Sequence, residues 1–232
     1  MKTPISTTST TPQNISNPAG WQEAVADWSG DKQTFDMPWG KIMMWVFILS
    51  DTFIFSIFLT GYMSARMSTT VAWPNPSEVF ALTIAGQHLP LILIAIMTFV
   101  LISSSGTMVM AVNFGYQRNR KRAFQMMLVT AILGLSFVGM QVFEWTKLIV
   151  DEGVRPWSNP MGAAQFGACF FMITGFHGLH VSAGVILLLV FGNKIRRGDY
   201  EKKGYGIVEI IGLYWHFVDL VWVFIFALFY LW

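Results

Sequence analysis

Five apolar stretches, each long enough to cross a lipid bilayer, dominate this chain. A span needs about 20 mostly apolar residues, because about 30 Å of hydrocarbon is crossed at about 1.5 Å per residue. The stretches run from about Ile42 to Met63, Leu89 to Val112, Ala123 to Ile149, Ala164 to Gly192 and Gly206 to Trp232. Lipid offers no hydrogen bonds to a peptide group, so each span must satisfy its own backbone as a helix. The expected fold is all-α, an integral membrane bundle of five transmembrane helices. Hydrophobic residues make up 54% of the 232 and charged residues 12%. That charged share is about half the ~25% of a soluble domain, as a lipid-solvated chain requires.

The connectors carry the helix breakers: Trp73-Pro74-Asn75-Pro76, then Pro156 and Pro160, then Gly198 and Gly204. Residues 1–38 read as a flexible polar tail, rich in Thr, Ser, Asn and Pro and without the apolar centre of a signal peptide. Within it, Glu23, Asp27 and Asp31 beside Trp21 and Trp28 suit a short surface helix. Residues 39–232 form the membrane domain. Lys and Arg set its orientation. Of the 15 basic residues, 12 fall in the tail and in the loops after the second and fourth spans, and 3 on the other side. The N-terminus is therefore expected in the cytoplasm and the C-terminus outside. A net charge of +2 gives no reason to expect nucleic acid, and the single Cys169 forms no disulfide within the chain.

Ionisable side chains inside a span are costly unless paired, so each is a candidate functional residue. They are Asp51, Glu144, His177, His180, His216 and Asp219, with His88 and Glu209 near helix ends. Counted from the helix ends, Asp51, His180 and His216 lie roughly 14–18 Å deep, with His177 and Asp219 one turn deeper. Glu144 lies near the other surface, at a depth similar to His88. His177 and His180, His216 and Asp219, and Gln141 and Glu144 are each spaced i, i+3, on one helix face. Two readings fit. Imidazoles and carboxylates on facing helices suit a metal or haem. The same groups also suit a polar seam that fixes helix packing, holds lipid or carries protons. Asp51 fits a proton relay as well as hydrogen-bonded packing. The chain has no His-x-x-x-His and no Cys-x-x-Cys-His pattern. Trp215 and Trp222 lie deep and suit packing between helices, while Trp39, Trp45, Trp73, Trp157, Tyr230 and Trp232 suit an interfacial belt.

Several runs resemble cytochrome c oxidase subunit III. They are Thr174-Gly175-Phe176-His177-Gly178-Leu179-His180-Val181 and Tyr214-Trp215-His216-Phe217-Val218-Asp219-Leu220-Val221-Trp222, the latter preceded by Glu209. Gln141-Val142-Phe143-Glu144-Trp145, Leu49-Ser50-Asp51 and Ser103–Thr107 also match, and the similarity covers about Trp39–Trp232 in order. Asp51 stands where the family has Glu, one methylene shorter. Lys194 stands where the family has an arginine that holds a lipid phosphate, keeping the charge without the fork.

The resemblance implies the short five-helix bacterial form of the family, in the inner membrane. It implies a subunit with no catalytic residue, metal or cofactor of its own. Haem and copper would reside in partner subunits. The partners would be the catalytic subunit I, subunit II and other oxidase subunits, membrane phospholipid, and in some systems a larger respiratory supercomplex. Such a subunit stabilises the catalytic subunit and supports proton uptake in aerobic electron transport, with cytochrome c or quinol as donor. On this reading Asp51, His180, His216 and Asp219 form a buried, proton-linked polar layer. Glu144, His177, Gln141, His88 and Glu209 would tie helices together, and Lys194, Arg196 and Arg197 would meet lipid head groups. An accessory subunit of a nitric oxide reductase resembles the same family. A lone channel and a haem enzyme are the readings from other classes.

Overall fold

The computed structural model describes residues 38–84, 87–201 and 204–231, without the side chains of 81–90. Residues 1–37 of the tail, with the short surface helix expected there, lie outside the described residues. Among the described residues, five helices are long and apolar enough to cross a membrane. They are α1 (Trp39–Ser68), α2 (Ile92–Tyr116), α3 (Arg120–Val150), α4 (Ala164–Arg197) and α5 (Gly206–Phe226). The packing described below is that of the chain from Met43 onward.

The helix ends follow from local chemistry. Asn119 caps α3 by accepting the Arg122 N–H at 3.3 Å. Gly198 ends α4 at φ 93, a left-handed conformation that glycine adopts without strain. Lys194, Arg196 and Arg197 occupy that last turn, where cations complement the exposed carbonyls. The second span begins later than expected, at Ile92. Pro90 lacks an N–H, and Leu91 enters the helix from the left-handed region at φ 59. The residues before it form a hairpin, with strand Ala81–Ile84 antiparallel to Gln87–Pro90 and Thr83 opposite His88. His88 thus stands on a strand rather than at a helix end, and its side chain lies outside the description. The last span also changes character: α5 stops at Phe226 and Ala227–Leu231 continues as a π-helix. One wide turn there brings the consecutive side chains Phe229 and Tyr230 both into the core.

Helices α2, α3, α4 and α5 pack as a closed ring, each touching the next and α5 returning to α2. In lipid the ring gains little from hiding apolar surface, because acyl chains are as apolar as leucine. Close contact and internal hydrogen bonds must do the work. Trp215 supplies both. A Cβ on Gly134 of α3 would lie 2.5 Å from its ring, and a Cβ on Gly184 of α4 would lie 2.8 Å away. Its indole N–H donates to Ser104 of α2 at 2.9 Å. One α5 side chain therefore touches all three other helices of the ring. Trp222, two turns on, repeats the pattern: its N–H donates to Thr98 of α2 at 3.1 Å, and it meets Phe137 of α3 edge-on. Thr107 and Thr130 join α2 to α3 at 2.7 Å.

Helix α1 lies against this ring through rings of its own. Phe55 and Phe58 pack on Phe176 of α4, and Phe47 packs on Tyr214 of α5. Its hydroxyls Thr52, Ser56 and Thr60 each bond back to the carbonyl four residues earlier, so none is left unmet in lipid.

Glycine substitutions test the close packing. Gly134→Val should destabilise the ring by about 1–3 kcal/mol, because indole and added methyls claim one space. Gly178→Ala, where a Cβ meets nothing within 4 Å, should be neutral or stabilising. Thermal unfolding of the detergent-purified chain, followed by tryptophan emission, separates the two.

Candidate functional site

The expected polar layer resolves into two clusters. No hydrogen bond or ion pair joins them among the described residues. The first lies between α1 and α4. Asp51 is 4% exposed, and its Oδ2 stands 3.3 Å from His180 Nε2. The other ring nitrogen, Nδ1, lies 2.8 Å from the Phe176 carbonyl oxygen. A carbonyl only accepts, so Nδ1 carries a hydrogen and donates it. Nε2 and the carboxyl oxygen would repel with no proton between them. The close approach therefore calls for one proton shared by the pair, which leaves it without net charge, while Oδ2 makes no aligned hydrogen bond. That matters energetically, since an unpaired Asp at mid-span costs about 2.5–3.5 kcal/mol or more. Tyr214 of α5 closes the cluster, donating its hydroxyl to the His180 carbonyl oxygen at 2.9 Å.

The second cluster lies between α2 and α5. His216 Nδ1 is 2.6 Å from the Ser105 hydroxyl. Asp219 is 7% exposed, and neither of its oxygens has a hydrogen-bond partner. Ser105, which meets His216, also lies near Asp219. Sequence spacing placed His216 and Asp219 on one face of α5. The i, i+3 relation aligns their backbones, but a serine one helix away decides where the imidazole bonds.

His177 occupies neither cluster. It is 1% exposed, and both ring nitrogens lack a hydrogen-bond partner. Trp222 stacks on it at 5.3 Å, and Phe137 and Phe55 meet it edge-on. Its contribution to helix packing is aromatic.

A third group sits toward the end of α3. Gln141 donates its amide to Glu144 Oε2 at 2.8 Å, as their spacing suggests. Tyr230 of the π-helix donates to the same oxygen at 3.2 Å. Glu209 lies in the first turn of α5, where a carboxylate suits the helix dipole. Lys194 lies over the Phe191 ring, and Arg196 over Phe124 while donating to Asn193. Residues the sequence did not single out are Ser105 within its polar run, Tyr214, and Tyr230, read as an interfacial marker. Only their partners across helices reveal their roles.

Half of the ring nitrogens of His177, His180 and His216 face polar partners. Both of His180 and one of His216 already face polar partners, and His177 is walled by rings. Among the described residues, no group of three or more His, Cys, Asp or Glu side chains converges.

The Asp51–His180 pair yields a double-mutant cycle. Asp51→Leu or His180→Leu alone leaves one buried polar partner unmet and should destabilise by about 3–5 kcal/mol. The double variant should cost less than the sum by about 1–3 kcal/mol. Unfolding midpoints of the four purified proteins report the coupling, and strict additivity would mean the two groups do not interact.

The chain matches the family model for cytochrome c oxidase subunit III over residues 20–232. A protein named probable quinol oxidase subunit 3 from Staphylococcus aureus is 32% identical over 201 residues, covering 87% of this chain and 92% of that protein. A cytochrome c oxidase subunit 3 from Alkalihalophilus pseudofirmus is 31% identical over 188 residues, covering 81% of this chain and 84% of that protein. Five spans and bacterial relatives make this a multi-pass protein of the bacterial inner membrane. It belongs to the cytochrome c oxidase subunit III family.

Proposed function

We propose that this chain is the non-catalytic third subunit of a bacterial haem-copper terminal oxidase and stabilises its catalytic subunit. Partnership with other oxidase subunits follows from the family. The observation that supports the structural role is that two contacts between helices, Asp51–His180 and Ser105–His216, engage ionisable side chains within the chain itself. These contacts join α1 to α4 and α2 to α5, as a packing seam does. Haem and copper belong to the partner subunits, and electrons from cytochrome c or quinol reach oxygen there.

Two finer roles accompany this one. The Asp51–His180 pair can pass a shared proton between imidazole and carboxyl without changing its net charge, which suits it to support proton uptake. Lys194, Arg196 and Arg197 lie at the end of α4, where phospholipid head groups meet the helix. The basic-residue bias, 12 to 3, supports a cytoplasmic N-terminus with these cations on the cytoplasmic side.

Affinity purification through a tag on this chain, in mild detergent, should bring down a haem-containing oxidase. His216→Leu should reduce the recovered haem per tagged chain several-fold. The isolated wild-type chain should hold no stoichiometric iron, copper or zinc. Bound metal in the isolated chain, or recovery without any haem protein, would defeat the proposal.

A further inference from the structure

Glu144 is 3% exposed, and its two oxygens differ completely in their surroundings. Oε2 takes both available donors, the Gln141 amide at 2.8 Å and the Tyr230 hydroxyl at 3.2 Å. Oε1 is buried and has no hydrogen-bond partner. A small cavity of ≈ 10 Å³ adjoins the residue. Val79, Phe80, Leu93, Ile94 and Leu148 wall it, and Lys147 completes the lining. That volume is the size of one water, about 10–15 Å³ in the same measure.

We propose that this cavity holds a single water molecule bridging Glu144 Oε1 and the Lys147 ammonium. The argument holds for either protonation state of the carboxyl. Gln141 and Tyr230 both donate to Oε2, so a proton on Glu144 resides on Oε1 and needs an acceptor. An ionised Oε1 needs a donor instead. Water answers both needs, because it donates and accepts. The ammonium alone answers only the second. An apolar occupant answers neither, and the space is too small for one. A buried acceptor with no partner costs about 1–3 kcal/mol, which favours keeping the water. The Lys147 side chain is 17% exposed and also reaches to 4.0 Å from Glu152, so it connects the cavity to the membrane surface at that end. The bridge thereby gives a carboxyl sealed beneath the π-helix a proton connection to that surface without separating α3 from α5.

The site is independent of the oxidase assignment, and its test is direct. A crystallographic or cryo-electron-microscopy map that resolves ordered water should be obtained for the full chain with whatever subunits co-purify. The expected result is a peak within about 2.7–3.2 Å of both Glu144 Oε1 and Lys147 Nζ. Val79→Leu, which adds a methylene to the cavity wall, should remove the peak while leaving the Gln141 and Tyr230 bonds to Oε2 in place. A wild-type map in which Nζ bonds Oε1 directly, or in which the cavity has no peak, overturns the proposal.

Discussion

Trp215 is where the ring of four helices closes, and most of the architecture answers to what it requires. Its indole lies against the bare backbones of Gly134 and Gly184 and donates to Ser104, so α5 is held to α2, α3 and α4 at one level. A hydrogen bond between membrane helices is worth only about 0.6 kcal/mol on average. The indole's larger contribution is contact, many pairs at about 0.1–0.2 kcal/mol each, which only small neighbours permit. Apolar burial alone would not select one helix arrangement over another in lipid. A flat ring fitted between two glycines does.

The same scarcity of partners in hydrocarbon governs the polar groups. Each cluster joins elements that the chain separates widely: α1 to α4 through Asp51 and His180, α2 to α5 through Ser105 and His216, and α3 to the π-helix through Glu144 and Tyr230. The clusters therefore act as specific fasteners between helices whose other contacts are aromatic and aliphatic. Helix α1 depends on this most. It lies outside the ring, and its ties are Asp51, a few phenylalanines and Tyr62, which packs on Phe229. Membership of the subunit III family gives these fasteners a setting: a chain whose partners are other oxidase subunits needs a preformed surface to present to them.

His177 is the informative exception. An imidazole next to a histidine pair invites a relay or a ligand role, yet its neighbours are Trp222, Phe137 and Phe55. Its partner His180, one turn away on the same helix, points to a carboxylate on α1 instead. Two histidines with one spacing thus have opposite surroundings, set by which neighbouring helix each one faces.

The amino-acid sequence by itself determined that five helices cross a membrane, because lipid forbids any other backbone and the apolar runs are long and uninterrupted. It also made the local pair Gln141–Glu144 available, since i, i+3 side chains on one helix face can meet without help from another helix. Matching depths made Asp51 and His180 candidates to meet. What only the tertiary structure decided is which helix faces which. Helix order and rotation are set by side chains fitting across the ring, and these come from distant parts of the chain. Ser105 therefore meets His216 from α2, and a π-turn carries Tyr230 to Glu144. Pro90 and Leu91 delayed α2 and put His88 on a strand, an outcome that a hydropathy pattern averages away because it registers apolarity and not backbone angles.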